Sequence, residues 1–215
     1  GVKMNLLDNR LYTAIAWYDQ DKTYRDSQTG ALVAVYGDGL EFEMRALVNE
    51  NLSILATATH TNTEEVSNGA LAVINGADFA AQNGLNPEDV YGGRIAGPRS
   101  AFVGMNTRME RGGLPDNIVS IYGTWAQELG AGDVTGSLGL TWVDETYTDI
   151  MQTVMLPSYT VVNGSVSYAQ GPFTGLLQVN NLMDEEYYTS ADLFDSVVVK
   201  PSAGRTFSLT LTYAF

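Results

Sequence analysis

The chain has 215 residues, enough for one all-β domain or two small ones. Asp and Glu number 25 against 11 Lys and Arg, and the formal net charge of −14 argues against nucleic acid as a partner, because phosphate binding needs a basic surface. The sequence has no cysteine, which excludes disulfides and thiolate metal sites, and no apolar run of about 18 residues, which excludes a transmembrane helix but not membrane-crossing strands.

Four β-strands are predicted at the start of the chain. They cover residues 2–7, 11–18, 40–48 and 51–60. The first two are apolar on both faces, so the sequence does not fix their orientation. The other two alternate between apolar and polar residues, the pattern of a strand with two unlike faces. Glu41, Glu43 and Arg45 lie on the polar face of the third strand, where we expect them to pair with one another or with protein that faces them.

A long segment without alternation, residues 61–116, follows the fourth strand. A plain connection of this length is uncommon in a compact domain, so we expect the segment to be functional or locally folded. Its sequence allows one short helix that ends at Gly84 and another that begins with Asn86 as N-cap and Pro87 as the first helical residue.

Arginines cluster in this segment although the chain as a whole is acidic. The arginines and the aromatic residues near them are Arg94, Arg99, Arg108, Arg111, Tyr91 and Phe102. Guanidinium groups and aromatic rings hold anionic ligands by charge and by stacking. These residues, with Tyr147 in a later connection, are therefore candidate ligand contacts. The alternative is salt bridging within the segment, with Glu110 or Asp116 as the partner.

Five more strands are predicted in the C-terminal half, which gives about nine in all. They cover residues 117–127, 133–143, 159–168, 172–182 and 204–215. Short turns at residues 8–10, 49–51, 130–132 and 171–172 alternate with longer connections at 20–38, 61–116, 145–158 and 184–204. This order places every tight turn at one end of the sheet, which is typical of outer-membrane barrels.

The composition of the polar face predicts whether the apolar face contacts lipid or is buried inside a soluble protein. That face carries Ser, Thr, Asn, Gln and Gly, whereas the water-facing side of a soluble sandwich should carry many Lys and Glu. Aromatic residues lie near strand ends, as in the aromatic girdles of membrane barrels: Trp125, Trp142, Tyr159, Tyr168, Tyr213 and Phe215. We therefore expect an all-β antiparallel up-and-down meander whose apolar face contacts lipid. A soluble β-sandwich binding module is the alternative.

Closure of the sheet is a further requirement, because backbone groups in lipid must all be paired. Single-chain bacterial barrels have an even number of strands, and about nine is odd. The chain is therefore expected to differ by one strand from the number that the alternation indicates, or to be preceded by further strands. A small complete outer-membrane barrel, acting as a passive pore or an enzyme, is the rival in which the chain closes on itself.

No catalytic or metal site is predicted from the residues. His60 is the only histidine, and no neighbouring serine motif supports a Ser-His-acid triad, so we expect an interfacial or loop histidine. No His, Asp and Glu cluster has the spacing of metal ligands. The chain is accordingly predicted not to be an enzyme.

Several segments resemble TonB-dependent outer-membrane receptors of the iron-siderophore type. They are "GDGLEFEMRALVNENLSILATATH", "LPSYTVVNGSVSY", "LLQVNNLMDEEYYTSA" and "GRTFSLTLTYAF". The third contains Asn-Leu-x-Asp-x-x-Tyr at residues 181–187, and the last ends the chain on Phe215. Together these segments cover the chain nearly from end to end.

The resemblance implies that residues 1–215 are the C-terminal arc of a 22-stranded transmembrane β-barrel, with the N-terminal plug domain and the earlier strands absent. It implies TonB-dependent uptake of a ferric siderophore across a Gram-negative outer membrane. The ferric chelate would be the transported ligand, bound by extracellular loops, with no resident cofactor. Receptors for cobalamin, haem or oligosaccharide share the same C-terminal pattern.

The resemblance also implies partners. These are the TonB complex, reached through the plug domain, outer-membrane lipid with lipopolysaccharide, and the barrel-assembly machinery. Phe215 would be the assembly signal, because outer-membrane proteins commonly end on an aromatic residue that this machinery reads.

Overall fold

The computed structural model describes residues 1–25, 32–66, 108–148, 155–190 and 199–215. Every regular element in these ranges is a β-strand: β1 (Val2–Leu6), β2 (Leu11–Arg25), β3 (Leu32–Leu47), β4 (Leu52–Val66), β5 (Arg108–Glu110), β6 (Asn117–Leu129), β7 (Gly132–Val143), β8 (Thr146–Tyr147), β9 (Met155–Leu156), β10 (Tyr159–Gln170), β11 (Phe173–Asn180), β12 (Tyr188–Ser190), β13 (Val199–Pro201) and β14 (Thr206–Tyr213). The described ranges contain no helix long and apolar enough to cross a membrane. The two short helices predicted around Gly84 and Asn86 fall outside them.

Nine of these strands form one sheet in chain order, β1-β2-β3-β4-β6-β7-β10-β11-β14. Each strand is antiparallel to its neighbours, and the short strand β5 pairs with the part of β4 that extends beyond β6. Two small hairpins, β8–β9 and β12–β13, form separate pairs. The predicted antiparallel meander of about nine strands is confirmed.

The register of the strands brings all the apolar alternations onto one face of the sheet, which we call the apolar face. Val2 pairs with Ile15 and Ile15 with Phe42, so the pairing fixes the orientation of β1 and β2 that the sequence left open. The same face continues across the sheet to Leu177 and Leu209, which oppose each other on β11 and β14. We call the opposite side the polar face.

The apolar face has no second layer of described residues on it. Leu138, Leu209 and Leu211 are 57%, 67% and 77% exposed, respectively. A soluble sandwich would bury these residues between two sheets. A contiguous exposed apolar surface on this scale marks contact with a membrane or with another protein. The sandwich alternative is therefore wrong for the described part of the chain.

Several strands are longer than the sequence pattern predicted. The connection expected at residues 20–38 is largely strand, because β2 continues to Arg25 and β3 begins at Leu32. Likewise β4 continues to Val66 into the segment predicted as a long connection. A membrane-crossing strand needs only about 9–11 residues, so β2, β3 and β4 are longer than such a strand requires. The start of β3, Leu32–Tyr36, is apolar on both faces and therefore shows no alternation that would predict a strand with two unlike faces.

Tight turns join the strands at one end of the sheet, which we call the inner end. Gly130 and Gly171 have φ of 68° and 55°, a conformation that glycine adopts without strain. At the β3–β4 turn the Asn49 Oδ1 accepts hydrogen bonds from the backbone N–H groups of Asn51 at 2.9 Å and Leu52 at 2.8 Å. We call the opposite end, where β2, β3 and β4 extend furthest, the outer end.

Aromatic residues gather on the apolar face at the inner end. The ring centroids of Phe173 and Tyr213 are 4.7 Å apart, and those of Tyr213 and Phe215 are 5.4 Å apart in an edge-on contact. Tyr159 differs from the prediction, since it pairs with Val143 on the polar face and stacks on Tyr187 at 4.0 Å. The run of apolar residues that follows Tyr159 has the opposite parity, which places Tyr159 outside the girdle.

The two outermost strands of the sheet, β1 and β14, have no pairing partner on their outer edges within the described ranges. All their residues are exposed. Because seven strands lie between them and every neighbouring pair is antiparallel, β1 and β14 run in the same direction. Each edge therefore presents a row of unpaired backbone donors and acceptors.

We expect Leu209→Arg to lower the free energy of unfolding in lipid vesicles by about 2–4 kcal/mol, because this change places a charge on the apolar face. The matched change Thr210→Arg lies one residue along on the polar face and should cost less than about 1 kcal/mol. Urea titration of the full chain, followed by tryptophan fluorescence, measures both. Equal losses would contradict lipid contact by the apolar face.

We also expect the 215-residue chain, isolated in water without added strands, to associate through its open edges and apolar face. Analytical ultracentrifugation checks this directly. A monodisperse monomer without detergent would show that neither surface needs a partner.

Candidate ligand-binding surface

Small hydroxyl residues make up much of the polar face. Ser120 Oγ and Thr141 Oγ1 lie 3.0 Å apart on β6 and β7, and Ser137 Oγ and Ser165 Oγ lie 2.6 Å apart on β7 and β10. Each pair is directly opposite in the register, so the hydroxyl groups satisfy one another. This part of the face is polar and uncharged, as expected of a wall that contacts other protein or lines a passage.

Three charged residues of the polar face, Glu41, Glu43 and Arg45, lie on β3. Arg45 Nε is 2.6 Å from Glu43 Oε1, and the Arg45 guanidinium lies 6.0 Å from the centroid of the Tyr12 ring. The expectation that these residues pair with one another is confirmed for Glu43 and Arg45. Glu41 has no ion-pair partner within the described ranges. Its carboxylate is available to a group that faces this surface.

Two tyrosines on the polar face lie across glycines of the neighbouring strand. A Cβ at Gly39 would lie 2.6 Å from the Tyr18 hydroxyl, and a Cβ at Gly139 would lie 2.8 Å from the Tyr122 ring. Because Gly39 has no side chain, Tyr18 reaches over β3 and donates to Thr61 Oγ1 on β4 at 2.7 Å. The tyrosine thus ties together three strands at the start of the outer extension.

Arg111 lies at the outer end of the polar face. Its Nε is 3.8 Å from Glu65 Oε2, while Glu65 Oε1 accepts a hydrogen bond from the Tyr24 hydroxyl at 3.3 Å. The backbone N–H of Arg111 also donates to the carbonyl of Thr63 at 2.8 Å. Arg111 therefore joins a small polar cluster that holds β2, β4 and the residues after β5 together.

Arg108 lies on the opposite face of the sheet from Arg111. Its guanidinium sits 4.0 Å from the centroid of the Tyr36 ring and 2.7 Å from Glu64 Oε2. Arg108 and Arg111 are the two candidate arginines that the structure describes. Both form ion pairs, but with carboxylates of β4 instead of Glu110 or Asp116. The structure does not bring Arg108 and Arg111 to one surface.

Tyr147 belongs to the small β8–β9 hairpin next to the outer end. Its carbonyl accepts a hydrogen bond from the backbone N–H of Gly113 at 2.6 Å, and Thr146 Oγ1 donates to the Leu114 carbonyl at 3.0 Å. These bonds fix the hairpin to the segment that follows Arg111. The remaining candidates, Tyr91, Arg94, Arg99 and Phe102, lie outside the described residues.

His60 is a strand residue at the outer border of the apolar face. Its Nδ1 is 2.9 Å from Asn117 Oδ1, and Asn117 Nδ2 donates to Asp144 Oδ2 at 2.6 Å. The chain of polar groups links β4, β6 and the residue after β7. His60 thus lies in a strand and not in a loop, its position at a membrane interface stays a prediction, and the sequence pattern did not indicate Asn117 and Asp144 as its partners. The described ranges hold no group of His, Asp and Glu able to bind a metal ion.

The Asn-Leu-x-Asp motif forms a clasp at the outer end of β11. Asn181 is 4% exposed and has a φ of 53°. Its Oδ1 accepts from the backbone N–H of Glu185 at 2.9 Å, and its Nδ2 donates to the carbonyls of Glu185 at 2.9 Å and Ala203 at 3.3 Å. Its own backbone N–H donates to Asn163 Oδ1 on β10 at 2.9 Å. Asn181 therefore connects the end of β11 with β10 through its backbone, and with Glu185 and Ala203 through its side chain.

Asp184 completes the clasp. Its Oδ1 accepts a hydrogen bond from the backbone N–H of Arg205 at 2.7 Å, and Arg205 Nη1 donates to the Leu182 carbonyl at 3.2 Å. A Cβ at Gly204 would approach Asp184 Oδ1 to 3.2 Å, so this contact favours glycine. The residues that carry the family resemblance therefore have a structural role at the β11–β14 junction.

A pocket of about 530 Å³ opens on the polar face near the inner end. Its side walls include Tyr12, Arg45, Leu55 and Tyr122, which oppose one another in a single row across β2, β3, β4 and β6. The sequence pattern does not predict this row, because Tyr12 lies in a strand of unfixed orientation and Leu55 departs from the polar alternation of β4. Only the register brings these side chains together.

Comparison with known proteins gives structural matches only. No protein-family model matches the sequence, and no curated protein matches it significantly. The siderophore receptor PiuA from Acinetobacter baumannii superposes with a TM-score of 0.67 at 19% identity, over 98% of this chain and 27% of PiuA. BauA, the ferric preacinetobactin receptor from the same species, gives 0.64 at 15% identity over 95% of this chain and 27% of BauA.

The ferripyoverdine receptor of the outer membrane of Pseudomonas aeruginosa gives a TM-score of 0.61 at 15% identity, over 98% of this chain and 26% of the receptor. The chain has the fold of a receptor β-barrel segment. It spans about a quarter of the length of these receptors. At such identities the likeness establishes the fold and does not establish the activity.

We expect Asn181→Ala to destabilise the full chain more than Asn181→Gly. Both remove the buried amide and should cost about 1–3 kcal/mol through unpaired backbone groups of the clasp. Alanine adds about 1 kcal/mol because it disfavours a positive φ. Urea unfolding in lipid vesicles measures the losses, with the exposed neighbour Asn180→Ala as the control. A loss at Asn181 no larger than that at Asn180 would contradict the clasp.

Proposed function

We propose that the chain is the C-terminal part of the barrel wall of a TonB-dependent outer-membrane receptor that imports a ferric siderophore. The observation that carries the proposal is the continuous apolar face of a nine-strand meander, in a fold shared with siderophore receptors over nearly the whole chain. A sheet that is apolar on one side and hydroxyl-rich on the other suits lipid outside and protein inside.

Closure of the wall follows from the open edges. In this proposal, further strands pair with β1 and β14, since a lipid-exposed sheet edge would leave backbone groups unpaired. A plug domain would occupy the interior against the polar face, with Glu41 among the charges it meets. TonB would act through the plug. A barrel closed by residues 1–215 alone is disfavoured, because the outer edges of β1 and β14 have no partner strand among the described residues and the two strands run in the same direction.

Ligand recognition is assigned to the outer end. Arg111 and Tyr147 lie there, and we propose that Tyr91, Arg94, Arg99 and Phe102 contribute from the same region of the chain. Their guanidinium and aromatic groups suit an anionic chelate. Arg108, on the opposite face, would contribute only at the rim, since Tyr36 and Glu64 hold its guanidinium.

The chemistry proposed is binding and transport, with no covalent step and no resident cofactor. The ferric chelate is cargo. Outer-membrane lipid and lipopolysaccharide would contact the apolar face and its outer border, and the assembly machinery would read Phe215, which is fully exposed. Cobalamin, haem and oligosaccharides are the alternative ligands.

The test is uptake of radiolabelled iron by a Gram-negative host that lacks its own siderophore receptors and expresses this chain joined to the plug domain and the further strands that the proposal requires. We expect uptake with at least one ferric siderophore of a chemically varied panel and its loss on deletion of TonB. Arg111→Gln should weaken uptake, whereas Arg25→Gln at the end of β2 should not. Uptake that persists without TonB would contradict the mechanism, and uptake of cobalamin, haem or sugars alone would reassign the ligand.

A further inference from the structure

We infer that the inner-end pocket of the polar face binds a small amphipathic carboxylate, with Arg45 as the anion contact and Tyr12, Leu55 and Tyr122 as the walls. The inference stands on the geometry of these residues and does not depend on the transport proposal. Its ligand class is an aromatic or aliphatic acid whose apolar part fits beside two tyrosine rings.

The shape of the pocket suits a small molecule. Its volume of about 530 Å³ falls in the range of roughly 300–1,000 Å³ that small-molecule sites occupy. Such sites are mostly apolar with a few placed polar groups, and here Leu55 lies between Arg45 and Tyr122 in the cross-strand row. The apolar walls of the pocket differ from the neighbouring part of the polar face, where small hydroxyl residues pair with one another.

Arg45 has hydrogen-bond donors that no described residue uses. Its Nε is held by Glu43, and within the described ranges its two terminal nitrogens have no hydrogen-bond acceptor. Those nitrogens present the pair of parallel donors that a carboxylate accepts in bidentate form. The Arg45 side chain is 69% exposed, so its position is open to a ligand.

The tyrosines of the pocket differ from the tyrosines of the outer extension. Tyr18 and Tyr24 donate to Thr61 and Glu65 within the sheet. The hydroxyl of Tyr122, in contrast, has no hydrogen-bond partner within the described part of the chain, and its ring packs on Gly139. The ring is thus held by the sheet while its polar end remains free for a ligand.

Arg10 closes the inner side of the pocket without competing for the ligand. Its Nε donates to the Leu47 carbonyl at 3.2 Å and a terminal nitrogen donates to the Val48 carbonyl. These bonds fasten the β1–β2 turn to the end of β3. The rim is therefore fixed, and Arg45 is the guanidinium left to meet an anion.

The experiment is equilibrium dialysis of naphthoate against the full chain in lipid nanodiscs, with empty nanodiscs as the background and naphthamide as the neutral isostere. We expect saturable binding of naphthoate that is about five- to tenfold tighter than that of naphthamide. Arg45→Gln should remove this preference, and Arg45→Lys should restore part of it. Arg25→Gln, at the other end of the sheet, is the matched control and should change nothing.

A variant that binds naphthoate more tightly distinguishes a change in the binding site from a loss of folding. Glu43→Gln removes the negative charge that competes for the Arg45 guanidinium and should tighten naphthoate binding by about two- to threefold, an effect that damage to the sheet would not produce. Tyr12→Leu should weaken both probes alike, because it removes ring contact but no charge. The inference is overturned if naphthoate does not bind up to millimolar concentration, or if its affinity is the same in the Arg45→Gln and Glu43→Gln variants.

Discussion

The register between strands is the constraint on which the rest of this structure depends. In a sheet with a side-chain period of two, a slip of one residue moves every side chain to the opposite face. Here the pairing keeps the same parity from Val2 opposite Ile15 to Leu177 opposite Leu209. A membrane adds the demand that each backbone group be paired, so in lipid neither the ladder nor the apolar face can shift independently.

The polar contacts of the molecule follow from that same register. Tyr18 contacts Thr61 only because Gly39, which pairs with both residues in the register, leaves room for the tyrosine ring. The row that forms the inner pocket exists because Arg45 opposes both Tyr12 and Leu55. Individual contacts of this kind are modest in energy, and their effect is to fix which residues share a surface.

The sequence predicted the parts of the fold in which one face meets a uniform solvent. Leu138, Leu140 and Leu209 alternate with polar residues, and that alternation is the pattern of a strand with two unlike faces. The outer extensions were not predicted, since they do not alternate between apolar and polar residues; the start of β3, Leu32–Tyr36, is apolar on both faces. Arg108 and Arg111 show the consequence. They are three residues apart, and in an extended segment that odd spacing places them on opposite faces. The resemblance marked Asn181 and Asp184, but only the structure reveals their hydrogen bonds.

The common direction of β1 and β14 has an arithmetic consequence. Any cylinder that includes this sheet and keeps every neighbouring pair antiparallel must take an odd number of strands from elsewhere, since two strands that point the same way cannot sit side by side in it. The added set must begin and end with strands that point opposite to β1. An even total, the rule among bacterial barrels, is thereby built into these nine strands.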